Sequence, residues 1–281
     1  MYAHVGRQWI MVIVGFVLLF PLASGAVDKK AGDGEPRAAR RQNVSTVVDA
    51  AEQENEKKLG CKESLQSDGL SKSSRVPVYR PPLRGAPAGR VAGGTRGYDK
   101  KFPCLCVLAP DHVGLTVSKQ PQLYYFLSAA TKLPLEFTII EKNSVYPLVE
   151  SRLPPPHTAG IHVIRLADYG KYLRPKVQYQ WFVVLIPDEE HRSNDILASG
   201  AIELVTSPNE LKERLKKNSN LGAVYLYAEK GIWYDALANL SRMIEKNPAD
   251  HGLRLQRASL LKQVGLSVAS RDERQGGFKK Q

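Results

Sequence analysis

Between Cys104 and Ser207 eight short runs follow one another: CLCVLA, VGLTVS, QLYYFLSA, LPLEFTIIE, SVYPLVE, GIHVIRLA, VQYQWFVVLIP and SGAIELVTS. They are rich in β-branched and aromatic residues, and Pro, Gly, Asp or Asn separates them, so each reads as a strand. No helical period interrupts them, which excludes a parallel α/β sheet wound by alternating helices. In LEFTIIE, alternation puts Leu135, Phe137 and Ile139 on one face and Glu136 and Thr138 on the other. In VQYQWFVVLIP, one face carries Val177, Tyr179, Trp181, Val183 and Leu185. The other begins polar at Gln178 and Gln180 and turns apolar at Phe182, Val184 and Ile186, the pattern of a central strand entering a second packed layer. Seven or eight such strands over residues 104–206 predict an antiparallel immunoglobulin-like β-sandwich.

At Ser207 the period becomes helical. Ser207-Pro208-Asn209-Glu210 reads as a capping box with proline in the first turn. Apolar spacing then predicts about four helices: one after Ser207, then residues 220–230, 232–247 and 251–264, the last ended by Gly265. The middle pair resembles a tetratricopeptide hairpin, with Ala223 and Tyr227 in its first helix, Gly231 at the turn, Trp233 and Ala236 in its second helix, and Pro248 closing it. A single such hairpin has too little core to stand alone, so residues 207–268 should pack on the strands. Residues 269–281 read as a frayed tail.

The N-terminal part carries an address. Residues 1–26 have the layout of a secretory signal: Arg7, then a fourteen-residue apolar run from Trp9 to Leu22. Ser24 and Ala26 suit the −3 and −1 positions of a cleavage site, with Ala26 the last residue removed and Val27 the first of the mature chain. The run falls short of the ~20 apolar residues of a spanning helix, so the mature chain is expected to have no transmembrane span. The formal charge of the chain is +12. A basic chain in the cytoplasm suggests nucleic acid. Export removes that partner and leaves an envelope protein or an anionic envelope polymer, in the periplasm or outside the cell. The charge is uneven: residues 104–206 carry 9 basic and 10 acidic groups, and the positive excess lies on the two flanks.

Residues 27–75 contain no aromatic residue and read as a disordered leader. Residues 76–103 contain five prolines and five glycines and read as a linker into the first strand. Within it Arg84, Arg90 and Arg96 stand six residues apart among glycines, and their guanidinium groups suit carboxylate, phosphate or sulfate partners. The alternative is internal docking on an acidic edge such as Glu136 or Glu150.

Cysteine use fits an oxidising compartment without settling the pairing. Cys104 and Cys106 sit i, i+2, and on an ideal strand their Cα atoms lie ~6.7 Å apart, at the far edge of disulfide reach. Cys61 with either of them is sterically easier, and free buried thiols are the equal alternative. The six histidines are scattered, with no pair at zinc-helix spacing. Asp188-Glu189-Glu190-His191 with Asp195 is the best local cluster for a hard cation, but charge runs in loops are usually just solvated. There is no Gly-x-Ser-x-Gly elbow. The reading names no catalytic residue, metal site or cofactor, and three function classes remain: a non-catalytic binding or adaptor module, a cryptic envelope hydrolase, and a basic polyanion-binding protein.

One family resemblance spans most of these segments. RGAPAGRVAGGTRG at 84–97, LAPDHVGLTVSKQPQLYYFLSA at 108–129, AGIHVIRLA at 159–167 and YQWFVVL at 179–185 are followed by GIWYDALANL at 231–240 and LLKQVGL at 260–266. In this order they resemble the mostly bacterial domain-of-unknown-function family 928. The resemblance implies an exported β-rich domain with a helical tail, and no activity. Many members carry a Cys after the GTRG element. Tyr98 stands there in this chain, so a family disulfide is not carried over.

Overall fold

All eight runs become strands: β1 (Leu105–Val107), β2 (Gly114–Thr116), β3 (Gln122–Leu127), β4 (Leu135–Glu141), β5 (Pro147–Arg152), β6 (Gly160–Arg165), β7 (Gln178–Leu185) and β8 (Ile196–Leu204). The structure is a computed structural model, and it describes residues 76–82 and 102–276. The strands form two sheets, one of three in the order β1-β3-β6 and one of five in the order β2-β8-β7-β4-β5. β7 is the central strand of the larger sheet. Its inward face is closed, with Trp181, Val183 and Leu185 fully buried. On its other face Phe182 and Val184 are half-buried and Ile186 is buried, so the apolar turn in the alternation corresponds to real cover. Leu135, Phe137 and Ile139 of β4 share the inner face, and register places Phe137 opposite Val183 and Ile139 opposite Trp181.

Strand direction departs from the expectation at one pair. β2 runs parallel to β8, with Gly114 opposite Ile202 and Thr116 opposite Leu204, which makes the larger sheet mixed. Alternation dictates which face a residue occupies, not the direction of the neighbouring strand. The two sheets share one apolar core: Leu105, Val107 and Phe126 of the smaller join Trp181, Ile202 and Phe137 of the larger. Their approach is close at Gly200 of β8, where a Cβ would lie 2.6 Å from that of Ala109 and 3.1 Å from the Trp181 indole nitrogen. Only glycine fits there without displacing its neighbours.

Among the described residues five helices follow rather than about four: α1 (Asn209–Lys217), α2 (Asn220–Glu229), α3 (Trp233–Lys246), α4 (His251–Gln263) and α5 (Ser267–Arg274). α2 starts with the Ser219 hydroxyl accepting from the Gly222 amide, and α4 with the Asp250 carboxylate accepting from the Leu253 amide at 3.1 Å. The expected capping box at Ser207 does not form. Pro208 holds the cap position in extended backbone, its carbonyl accepts from the Lys212 amide, and the buried Ser207 hydroxyl has no hydrogen-bond partner. The ψ of Pro208, 145°, is extended rather than helical, so the helix starts at Asn209.

α3 ties the helices to the sheets. Its first turn buries Trp233 and Tyr234 completely or nearly so. The Trp233 indole N–H donates to the Leu108 carbonyl at 2.8 Å. The Trp181 indole donates to the Tyr234 hydroxyl at 2.9 Å, which donates onward to the Ala201 carbonyl at 2.9 Å. Helical Leu237, Leu260 and Leu261 belong to the same core as the strands.

Residues 267–274 are helical where the sequence suggests a frayed tail from 269, because Arg257 of α4 fixes them. Its guanidinium grips the Glu273 carboxylate through two hydrogen bonds of 2.9 and 2.8 Å and donates to Ser241 at 3.0 Å, all buried. The first residues of the expected linker also differ from that expectation. Within 76–82, Pro77 and Tyr79 are buried, and the Arg80 amide donates to the Ala228 carbonyl at 3.0 Å. No helix among the described residues is long and apolar enough to cross a membrane.

Candidate binding cleft between α3 and the β2–β3 connection

Asp235, Ala238, Asn239 and Arg242 recur at helical spacing and so share one face of α3. The chain leaving β2 at Thr116 passes this face before entering β3 at Gln122. Together they enclose a cleft of about 160 Å³, its strand-side wall made by Thr116, Ser118, Gln120, Pro121 and Gln122. The connection is shaped by its own short-range bonds. The Ser118 amide donates to the Thr116 hydroxyl at 3.1 Å, and the Gln120 amide to the Ser118 hydroxyl at 3.2 Å.

Asp235 is the cleft's central charge. Its Oδ2 accepts from the Thr116 hydroxyl at 2.8 Å and from the Val117 amide at 3.0 Å. The backbone amide of Asp235 itself also stabilises the charged carboxylate. Burial raises the carboxyl above the usual range, while the Thr116 and Val117 donors and the Arg242 charge pull it back down. Asn239 is oriented by donating its amide to the Asp235 backbone carbonyl at 2.7 Å and by accepting from the Arg242 guanidinium at 2.9 Å. Arg242 also donates to the Ala238 carbonyl at 3.4 Å. Arg242 thus lines the cleft hydrogen-bonded to amide and carbonyl oxygens, with its charge acting on the Asp235 carboxylate. The set combines an acceptor carboxyl with a guanidinium donor in a space much smaller than the ~300–1,000 Å³ of a typical cofactor pocket.

Of the residues the sequence suggested, Arg84, Arg90, Arg96, Ala26, Val27 and Cys61 lie outside the described residues. Cys104 is disulfide-bonded and its amide donates to the Ser128 hydroxyl at 2.7 Å; Cys106 is buried. The acidic loop after β7 is tied up in arginine contacts. Arg192 bonds Asp195 at 2.7 Å and Glu136 at 2.8 Å, and Arg152 reaches Glu189 at 3.1 Å and Glu136 at 3.6 Å. Asp188 pairs with His191 at 2.7 Å. Glu136, one of the acidic edges suggested for Arg84, Arg90 and Arg96, is therefore already shared by two other arginines. Among the described residues no group of three His, Cys, Asp or Glu is placed to hold a metal ion.

The cleft was missed by sequence reasoning, although half its signal was there. Asp235, Asn239 and Arg242 form a polar stripe on a helix whose other faces carry Trp233, Leu237, Leu240 and Ile244. What that stripe meets is decided by the β2–β3 connection, more than 100 residues earlier.

A family model described as Domain of Unknown Function (DUF928) matches residues 91–273, from ahead of β1 to within α5. No curated protein matches the chain.

Proposed function

The chain belongs to the family described as Domain of Unknown Function (DUF928), and on that premise we propose that it is an exported binding or adaptor module that makes or breaks no bond. The observation that carries this reading is the cleft of about 160 Å³ lined by both the Asp235 carboxylate and the Arg242 guanidinium. That volume takes one projecting side chain of a partner. The Asp235 carboxylate would face an ammonium, guanidinium or amide donor, and Arg242 would meet a neighbouring carboxylate or carbonyl. An envelope protein is the partner such a cleft suits. Export is supported by the signal layout of residues 1–26, with the cut before Val27.

In this reading the two sheets form an immunoglobulin-like sandwich carrying one tetratricopeptide-like hairpin, α2 with α3. The shared core of the sheets and the tight turn at Gly231, with φ +71°, support it. The charge of +12 supports a second reading, binding of an anionic envelope polymer.

The test is capture from envelope extract by the mature chain and by Arg242→Gln, a substitution at an exposed position of α3. The binding reading expects a discrete protein bound by the parent chain and reduced at least tenfold by the substitution. Capture unaffected by the substitution but lost steeply with salt favours the polymer.

A further inference from the structure

Residues 76–82 lie on the surface of the fold without joining a sheet or helix, yet their backbone is read in detail. A single side chain, Gln263 at the end of α4, accepts from the Tyr79 amide at 2.8 Å and donates to the Pro77 carbonyl at 2.8 Å. One residue on, the Arg80 amide donates to the Ala228 carbonyl at 3.0 Å. The Tyr79 ring enters a slot between His112, stacked at 5.8 Å, and Trp233, edge-on at 5.0 Å. Its hydroxyl meets His112 Nε2 at 2.8 Å. Pro77 and Tyr79 point in, while Val78, Arg80 and Pro81 are exposed.

The slot is built from parts that hold their places by other contacts. Trp233 is fixed through the Leu108 carbonyl, and α4 through its leucines in the core. At the α2–α3 turn, Gly231 sits so close beneath the segment that a Cβ there would lie 2.7 Å from the Arg80 carbonyl oxygen. Backbone capture by an amide side chain, a tyrosine slot and flanking prolines that pre-set φ are the features of an extended-peptide site. We propose that this groove is a peptide-recognition site for an extended segment of a partner chain with the pattern Pro-x-Tyr-x-Pro, and that Pro77–Pro81 is its resident occupant. It is separate from the Asp235 cleft and does not depend on the reading given to that cleft. A partner segment enters by displacing the resident one, which is attached by three backbone hydrogen bonds and one ring.

The test uses the full chain carrying Tyr79→Ala and a fluorescent peptide with the sequence of residues 76–82, followed by anisotropy. The variant should bind the peptide saturably, at least tenfold more tightly than the parent chain, whose own segment competes. A peptide with Ala in place of its Tyr should not bind, and adding Gln263→Ala to the variant should weaken binding at least tenfold. No saturable binding by the folded variant, or equal binding of the two peptides, overturns the proposal. Should Tyr79→Ala fail to fold, amide exchange of the parent chain decides. Exchange at Tyr79 and Arg80 at least a hundredfold faster than at Trp181 and Val183 shows that the segment leaves its groove without global unfolding. Equal rates make it an integral part of the core and overturn the proposal.

Discussion

Replacing Tyr234 by Phe removes one oxygen atom and interrupts the relay that joins α3 to the larger sheet. In the parent chain that hydroxyl accepts from the Trp181 indole and donates to the Ala201 carbonyl, both at 2.9 Å and both buried. Tyr234 is 1% exposed and Trp181 fully buried, so no bulk water replaces the lost oxygen. Stranding the indole N–H costs about 1–3 kcal/mol, and the lost bond to the carbonyl adds about 0.5–1.5 kcal/mol. A central figure of about 3 kcal/mol lowers Tm by roughly 6–12 °C for an ordered region of this size. The assay is thermal unfolding followed by circular dichroism, with urea titration to check that the slope is unchanged. Tyr172→Phe, on a side chain 59% exposed, is the control and should move Tm by less than about 2 °C. A Tyr234→Phe shift as small as the control would refute the reasoning, because the indole and carbonyl would then have other partners.

Removing the carboxylate in Glu273→Ala leaves the buried Arg257 guanidinium unmatched; it should cost about 3–5 kcal/mol in urea unfolding and open the chain after Gly265 to protease. Burial lowers the His112 pKa, so the folded state binds fewer protons than the unfolded one between the lowered value and the ordinary ~6.5. The stability this confers is full above ~6.5 and lost as pH falls through the folded value; a His112→Gln variant should show a flatter profile in urea titrations across that window. Asp235 has the opposite sign: its pKa is raised, first by burial, so the folded state holds its proton longer. Stability relative to Asp235→Asn should therefore fall as pH rises from ~3.9 through the folded value and stay level above it. N-terminal sequencing of the exported chain should begin at Val27, and retention of Met1 would contradict the signal reading.

The strands were legible because each is short, bounded by turn residues and patterned with period two. Leu135, Phe137, Ile139 and Trp181 sit on the face that alternation assigns. Direction was not legible, as β2 shows, because a three-residue strand carries no record of its neighbour's polarity. Local pattern also failed where a distant partner decides. Ser-Arg-Asp-Glu-Arg after Ala269 reads as solvated charge, and contacts with Arg257, Arg254 and Ala258 of the preceding helix make it a buried end. The leading residues of 76–103 read as linker from their prolines, yet Tyr79 is 7% exposed because the Trp233 slot receives it. The cleft combines both cases: its helical stripe is periodic, and its facing wall is remote in sequence.

The central claim is that a partner's side chain enters the Asp235 cleft. A photo-reactive residue placed at Asn239, in the cleft wall, tests it most directly, with one at Tyr146, 72% exposed between β4 and β5, for comparison. In envelope extract the account predicts a discrete crosslinked protein from position 239, absent from position 146 and lost when Arg242→Gln is added. No crosslink from 239, or the same product from both positions, would contradict it.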